Sequence, residues 1–324
     1  MITQIGQDIA IAIHLLQSSH PVAIPTETVY GLAANALDPN AVLKIFKAKN
    51  RPHFNPLIIH LPDWEAVKKY VADIPVDAEI LAKKFTPGPL TFLLEKKPII
   101  PDLVTAGSPK VAIRIPAHPM TRELLSQLDF PLAAPSANPF GYVSPTTAQH
   151  VYEGLKGKIP YILDGGECQI GLESTIVDFE NGDVIVRRKG GVAVEAIEAV
   201  LGKKVLVKTE NEDHPVAPGM LKSHYATATP LYVGNVEILA KNFTQKKICL
   251  IEFGEKRAEL PAFARFQLSA NSSLDEAAKH LFKTMRQADK CGADVILVEW
   301  LPEEGLGRAI NDRLRRARFI DKPI

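Results

Sequence analysis

Apolar positions along this chain switch between a helical period and short unbroken runs, which predicts alternating helices and strands. Ile5, Ile9, Ala12, Ile13 and Leu16 fall on one helical face and predict an amphipathic first helix. Residues 21–25 follow as a short strand. Asp38 and Pro39 supply an N-cap and a first-turn proline, opening a helix striped by Val42, Ile45 and Phe46. Residues 57–61 form a nearly continuous apolar run closed by His60, as in a strand covered on both faces. Residues 90–95, 111–115, 132–134 and 176–179 predict further strands, with prolines 87, 89, 98, 116 and 135 at their ends.

Residues 193–229 break this rhythm. A short helix over 194–201 is followed by the polar run 208–214, then Pro215, Pro218 and Gly219, a linker by composition. The last hundred residues resume the alternation. Ser273 and Glu276 fit a capping box, heading a helix striped by Leu274, Ala277, Ala278, Leu281, Phe282 and Met285. Strands are expected at 248–251 and 294–300, and a basic helix at 307–319. Its arginines (308, 313, 315, 316 and 318) read as a solvated face or a partner contact. The fold class expected is α/β: a mixed sheet with helices, then a smaller Rossmann-like α/β unit.

Charge changes the picture only by exclusion. With 38 Lys and Arg against 37 Asp and Glu, nothing draws the chain globally to nucleic acid or membrane. Any anion site must be local, and contact with RNA is expected to be weak and patch-based. Cys168, Cys249 and Cys291 are too scattered for a disulfide framework or a CxxC metal site. The first residues lack a basic leader, and no apolar run reaches a bilayer's thickness, so a cytoplasmic protein is expected.

No P-loop, complete dinucleotide fingerprint, HExxH or GxSxG occurs. Four other polar constellations sit beside predicted strands. Pro25-Thr-Glu-Thr-Val-Tyr-Gly31 sets hydroxyls, a carboxylate and an aromatic ring in one loop. Lys47, Lys49 and Arg51 leave a helix end toward Asn55 and the strand closed by His60, and Lys49, Arg51 and the Asn55 amide suit phosphate oxygens. A third loop, 133–146, gathers Ser136, Asn138 and Ser144 among prolines and offers hydroxyls and backbone N–H groups to a nucleotide. Gly171–Asp178 and the run Val184–Gly191 bring Ser174, an Arg187-Arg188 pair and two glycines. Arg114 lies inside an apolar strand and needs a buried partner or a carboxylate ligand.

In order and spacing, PTETVYGL, Lys49-x-Arg51 with Asn55-Pro-Leu57, APSAN with SPT, GLESTIVD and RKGG resemble the YrdC/Sua5 family of threonylcarbamoyl-AMP synthases. Pro218-Gly-Met and His224-Tyr-Ala226 match the linker of its long form, and GADVILVEWLPEEGLGRAINDRLRRAR looks like its C-terminal domain. The resemblance implies a YrdC-like catalytic domain over 7–193, a linker or lid over 194–229 and a Sua5 C-terminal domain over 230–324. It implies condensation of L-threonine, bicarbonate and ATP, with Mg²⁺ accompanying ATP, for modification of adenosine 37 of tRNA by a downstream threonylcarbamoyl-transfer complex. Thr28, His60, Arg114, Ala134 and Ser174 are then expected around threonine. Lys49, Arg51, Asn55, Lys110, Ser136, Asn138, Ser144 and Arg188 are expected at ATP, with Tyr225 closing over it. Departures from the family are His53-Phe54 in the basic loop, Lys110 where threonine is common, and Arg187-Arg-Lys-Gly for Arg-Pro-Gly, which leaves both arginines as candidates. Two other readings of the residues stand beside this one: a carbamoyl transferase acting on carbamoyl-adenylate, and an RNA-binding regulatory module.

Overall fold

The computed structural model describes residues 1–52, 54–209 and 224–319. His53, most of the polar run 208–214 and the Pro218–Met220 motif lie outside the described residues. The chain divides into two compact units.

Unit 1 comprises Met1–Phe140, Ser144–Gln169 and Glu173–Leu221. Its elements are β1 (Gln4–Gly6), α1 (Ile9–Gln17), β2 (Val22–Ile24), β3 (Gly31–Asn35), α2 (Pro39–Lys49), β4 (Ile58–His60), α3 (Val76–Phe85), β5 (Leu90–Glu95) and α4 (Asp102–Thr105). There follow β6 (Lys110–Arg114), α5 (Pro119–Ser126), β7 (Leu132–Ala133), α6 (Ala148–Leu155), β8 (Tyr161–Leu163), β9 (Thr175–Glu180), β10 (Asp183–Arg188), α7 (Val194–Leu201) and β11 (Leu206–Val207). Among the described residues the strands form one mixed sheet in the order β1-β8-β2-β3-β7-β4-β6-β5-β9-β10-β11. Strands β4 and β6 run parallel, as do β5 and β9, whereas β5 and β6 are antiparallel.

Strand alternation sorts the core onto two faces. Ala23, Ile59, Phe92, Ile113 and Val177 join the large cluster under α2, α3, α6 and α7. Val22, Ile24 and Leu132 point the other way, toward α1 and α5. At mid-sheet that second face carries a small apolar floor of Ile58, Leu93, Ala112 and Ile176. The helix at 194–201 buries Val194 and Ile197 in the large cluster, so the composition break begins inside this unit's packing.

The first helix starts later than the apolar stripe suggested. Asp8 accepts hydrogen bonds from the Ala10 and Ile11 N–H groups and caps it, leaving Ile5 on the edge strand β1, paired with Ile162. A capping carboxylate overrides one residue of helical spacing.

Unit 2 comprises Gly141–Val143, Ile170–Leu172 and the chain from Lys222 onward. It contains β12 (Leu231–Val233), α8 (Val236–Lys241), β13 (Ile248–Phe253), β14 (Ala264–Ser269), α9 (Leu274–Lys290), β15 (Val295–Val298) and α10 (Gly307–Ala317). The strands form a parallel sheet in the order β12-β15-β13-β14, the small α/β unit expected. Ser273 caps α9 by accepting from the Glu276 N–H, as the capping box predicts. Helix α10 is only in part the solvated basic face expected: Arg315 and Arg318 are exposed and Arg308 is half-buried. Arg313 and Arg316 are buried; Arg316 Nε donates to Asp312 at 3.0 Å, and the Arg313 guanidinium stands over the Tyr225 ring. All three cysteines are free; Cys168 and Cys249 are buried and Cys291 is partly exposed.

Candidate active site

The same alternation that builds the floor sets a polar row at each of its ends. Ile58 continues to His60, Ala112 to Arg114, and Leu93 lies two residues from Thr91 and Ile176 two from Ser174. His60 and Arg114 are direct neighbours across β4 and β6, and Thr91 faces Arg114 across β5 and β6. In the opposite direction along the strands, Lys110 and Asp178 take the same face. Lys110 stands four residues before Arg114, which is ~13 Å at the rise of a strand.

The row at the strand ends is stitched to loops. Arg114 Nη2 donates to Glu27 Oε1 at 2.7 Å and Nε donates to the Gly88 oxygen, while the second Glu27 oxygen accepts from the Ala117 N–H. Thr28 is fully buried in the same loop, its hydroxyl 2.8 Å from that of Thr26. The Ala134 N–H donates to the Ile58 oxygen, and an added Cβ on Gly31 would stand 3.2 Å from the Ala134 Cβ. That close approach is what the glycine of PTETVYG permits. Burial, with Arg114 as a second cause, pushes the His60 imidazole down to about 3, so it is neutral at physiological pH. Among the described residues its Nδ1 is buried with no hydrogen-bond partner.

Ser174 links this row to the arginine pair. Its hydroxyl lies 2.7 Å from that of Thr91. Arg188 donates from Nε to the Ser174 carbonyl and from Nη2 to its hydroxyl, both at 3.0 Å. Arg187 turns instead to Asp178 and Glu180, with which Lys110 also pairs. Burial alone would raise the Asp178 carboxyl, but its bonds to Lys110 and Arg187 hold it below its ordinary value. The β9–β10 register shifts between Val186 and Arg188, which sets Arg188 opposite Ile176, two residues from Ser174. A Cβ on Gly190 would lie 2.3 Å from the Glu173 oxygen, so only glycine lets the RKGG turn cross the 173–174 backbone.

The helix-end cations divide their work. Lys49 is fully buried and its Nζ donates to the carbonyls of Ser136 and Asn138, each at 2.5 Å, which pins the APSAN loop to α2. Burial, then the neighbouring Arg51, pushes its ammonium well below the ordinary lysine value. Arg51 donates to the carbonyls of Asn55 and Pro56 and so shapes the loop before β4. The Asn55 side chain is buried, and among the described residues neither its oxygen nor its nitrogen has a hydrogen-bond partner. Ser136 is half-buried, Asn138 Nδ2 bonds the Pro139 oxygen, and Ser144 Oγ donates to Glu173 at 2.6 Å.

Sequence reading names Glu27 only as the carboxylate of its loop and passes over Glu173, although both lie inside the motifs. Glu27 and Glu173 are buried, and each binds a residue that had been singled out, Arg114 and Ser144. Their signal was available: an acidic residue inside a loop between buried strands must find a partner. Tyr225 belongs to unit 2, where its ring stacks on Phe282 with centroids 5.4 Å apart and its φ is 64°.

Two sequence profiles match the chain: Sua5/YciO/YrdC, described as "Telomere recombination", over residues 14–190, and "Threonylcarbamoyl-AMP synthase, C-terminal domain" over 192–318. The threonylcarbamoyl-AMP synthase of Pyrococcus abyssi is 42% identical over 95% of this chain and 93% of its own length. The chain belongs to the Sua5 family of threonylcarbamoyl-AMP synthases. The Bacillus subtilis synthase of the family is 38% identical, covering 95% of this chain and 92% of itself. The crystal structure of Pyrococcus abyssi Sua5 complexed with L-threonine superposes with a TM-score of 0.91 at 41% identity, covering 98% of this chain and 97% of that one. Among the described residues no helix of this Sua5-family chain is long and apolar enough to cross a membrane.

Proposed function

We propose that this chain joins L-threonine, bicarbonate and ATP into threonylcarbamoyl-AMP and pyrophosphate, the activated group destined for adenosine 37 of tRNA. Residues 7–193 form the catalytic domain in this reading, 194–229 the linker and lid, and 230–324 the accessory domain. The observation that carries the site assignment is that, among the described residues, His60 Nδ1 and both side-chain polar atoms of Asn55 are buried without a hydrogen-bond partner. Buried polar groups are almost always satisfied, so a polar ligand beside each is the simplest supplier.

Threonine sits at the strand-end row. Arg114, held by Glu27, receives its carboxylate; neutral His60, Thr28, Ser174 and the Ala134 backbone surround the rest. The amine attacks bicarbonate carbon with loss of water, giving the carbamate. A carbamate oxygen then attacks the α-phosphorus of ATP, and the bond from that phosphorus to the β-bridging oxygen breaks as pyrophosphate leaves. No enzyme nucleophile is required; holding the reactants in line supplies ~7–11 kcal/mol of barrier lowering. Arg188, Ser136, Asn138, Ser144 and Asn55 bind the nucleotide. Lys49 and Arg51 act on it by fixing loop carbonyls and supplying positive potential. Lys110 lies along the same face at nucleotide distance and reaches ATP by exchanging its bond to Asp178. Tyr225, in unit 2, has a left-handed φ of 64°, the strained backbone typical of functional positions.

Mg²⁺ enters as part of the ATP substrate. Among the described residues no group of three His, Cys, Asp or Glu is placed to hold a metal. Magnesium generally takes phosphate oxygens and water for most of its ligands. The family relationship and the unpaired free thiols fit a cytoplasmic site of action. Measuring pyrophosphate release with each substrate omitted in turn tests the reading. Release that needs all three supports it; release with ATP alone, or salt-sensitive RNA binding without turnover, would replace it.

A further inference from the structure

Helix α2 has a second basic face that the synthase reaction leaves unused. Lys49 points to the APSAN loop, but Lys47 lies two residues away, about 200° around the helix. Lys44, Lys47 and Ala48 share that other face at i, i+3 and i+4. Together with His20, Asn50 and Lys158 they line a cavity of about 590 Å³ in unit 1. No carboxylate occurs among its described lining residues. Lys47, Asn50 and Lys158 are exposed, and His20 Nδ1 is buried with no hydrogen-bond partner. The Lys44 ammonium is anchored by donation to the Ser19 carbonyl at 2.8 Å, which holds one cation at the wall.

We infer that this cavity is a second anion site, shaped for a small polyphosphate and separate from the nucleotide site. Three ammonium groups without a lining carboxylate make a local positive field on a chain of net charge +1. The volume falls in the range of small-ligand pockets. The buried Nδ1 offers a hydrogen-bonding partner that solvated lysines alone would not need. Because Lys47 and Ala48 directly precede Lys49, an anion here touches the helix turn whose last residue pins the Ser136 and Asn138 carbonyls. Occupancy is therefore coupled to the loop that, in the synthase reading, carries ATP contacts.

Titration calorimetry with inorganic pyrophosphate and with tripolyphosphate, without ATP, tests this on the full chain. The unmodified protein is expected to show two sites. Lys47→Glu/Lys158→Glu changes two exposed side chains and should lose one site, weakening it at least tenfold, while threonine-dependent pyrophosphate release without added polyphosphate persists. Lys47→Arg/Lys158→Arg should restore the second site. No polyphosphate binding to the unmodified protein, or binding that the charge-reversed variant retains in full, overturns the inference. Neither result bears on the synthase reading, which the substrate-omission assay decides separately.

Discussion

Arg114 Nη2 donates to Glu27 Oε1 at 2.7 Å, tying a strand end to a loop 87 residues earlier, with both side chains almost wholly buried. Removing one partner of a buried pair strands the other charge, at a cost of about 3–5 kcal/mol. Glu27→Ala should therefore lower unfolding free energy by about that much in urea denaturation. Glu27→Gln keeps an acceptor and should lose less stability, but should raise the KM for threonine, since Arg114 loses its orienting charge.

His60 predicts a pH dependence of known sign. Its value of about 3 in the folded state lies below the unfolded value near 6.5. Its contribution to stability is thus complete above pH 6.5 and is lost as pH falls toward 3. Between pH 7 and pH 5 this group alone should remove about 2 kcal/mol. His60→Gln lacks the titration, so the difference between its urea midpoints at the two pH values should shrink relative to the parent protein.

Lys49 holds two carbonyls with one ammonium. Lys49→Met preserves the aliphatic stem but leaves both acceptors unsatisfied, which costs about 1–3 kcal/mol each where they stay buried. The expected result is a lower melting temperature together with at least a hundredfold loss of kcat/KM. Lys49→Arg should restore little, because its planar fork does not superpose on a point donor.

Gly190→Ala places a methyl group 2.3 Å from the Glu173 oxygen. The two segments must separate, disturbing the Ser144–Glu173 and Ser174–Arg188 bonds together. Activity should fall more than tenfold, and calorimetry should show weaker ATP binding. Gly182→Ala is the control for activity: a Cβ there meets nothing within 4 Å, so its left-handed φ of 83° should affect stability alone.

What the sequence disclosed follows from what is local in it. The loops PTETVYG and APSAN, the strand at 90–95 and the α9 cap are each written in a few consecutive residues, and the structure places all of them at or within a residue of the reading. The links among them are not local. Glu27 meets Arg114, and Ser144 meets Glu173, only once the strand order β7-β4-β6-β5-β9 is built. The placement of Arg188 opposite Ile176, beside Ser174, depends on a register shift that simple alternation does not show. The divided face of α10 has the same origin: Arg315 and Arg318 are exposed as composition suggests, but Asp312 and the Tyr225 ring receive Arg316 and Arg313 in the interior.

The central claim is that threonine, a one-carbon unit and AMP are joined at the strand-end row. The most direct measurement is mass spectrometry of the product formed from threonine, ATP and ¹³C-bicarbonate. The account predicts a threonylcarbamoyl-AMP one mass unit heavier, formed in step with pyrophosphate and abolished by Arg188→Ala. Pyrophosphate accompanied by an adenylate that lacks the labelled carbon would contradict it.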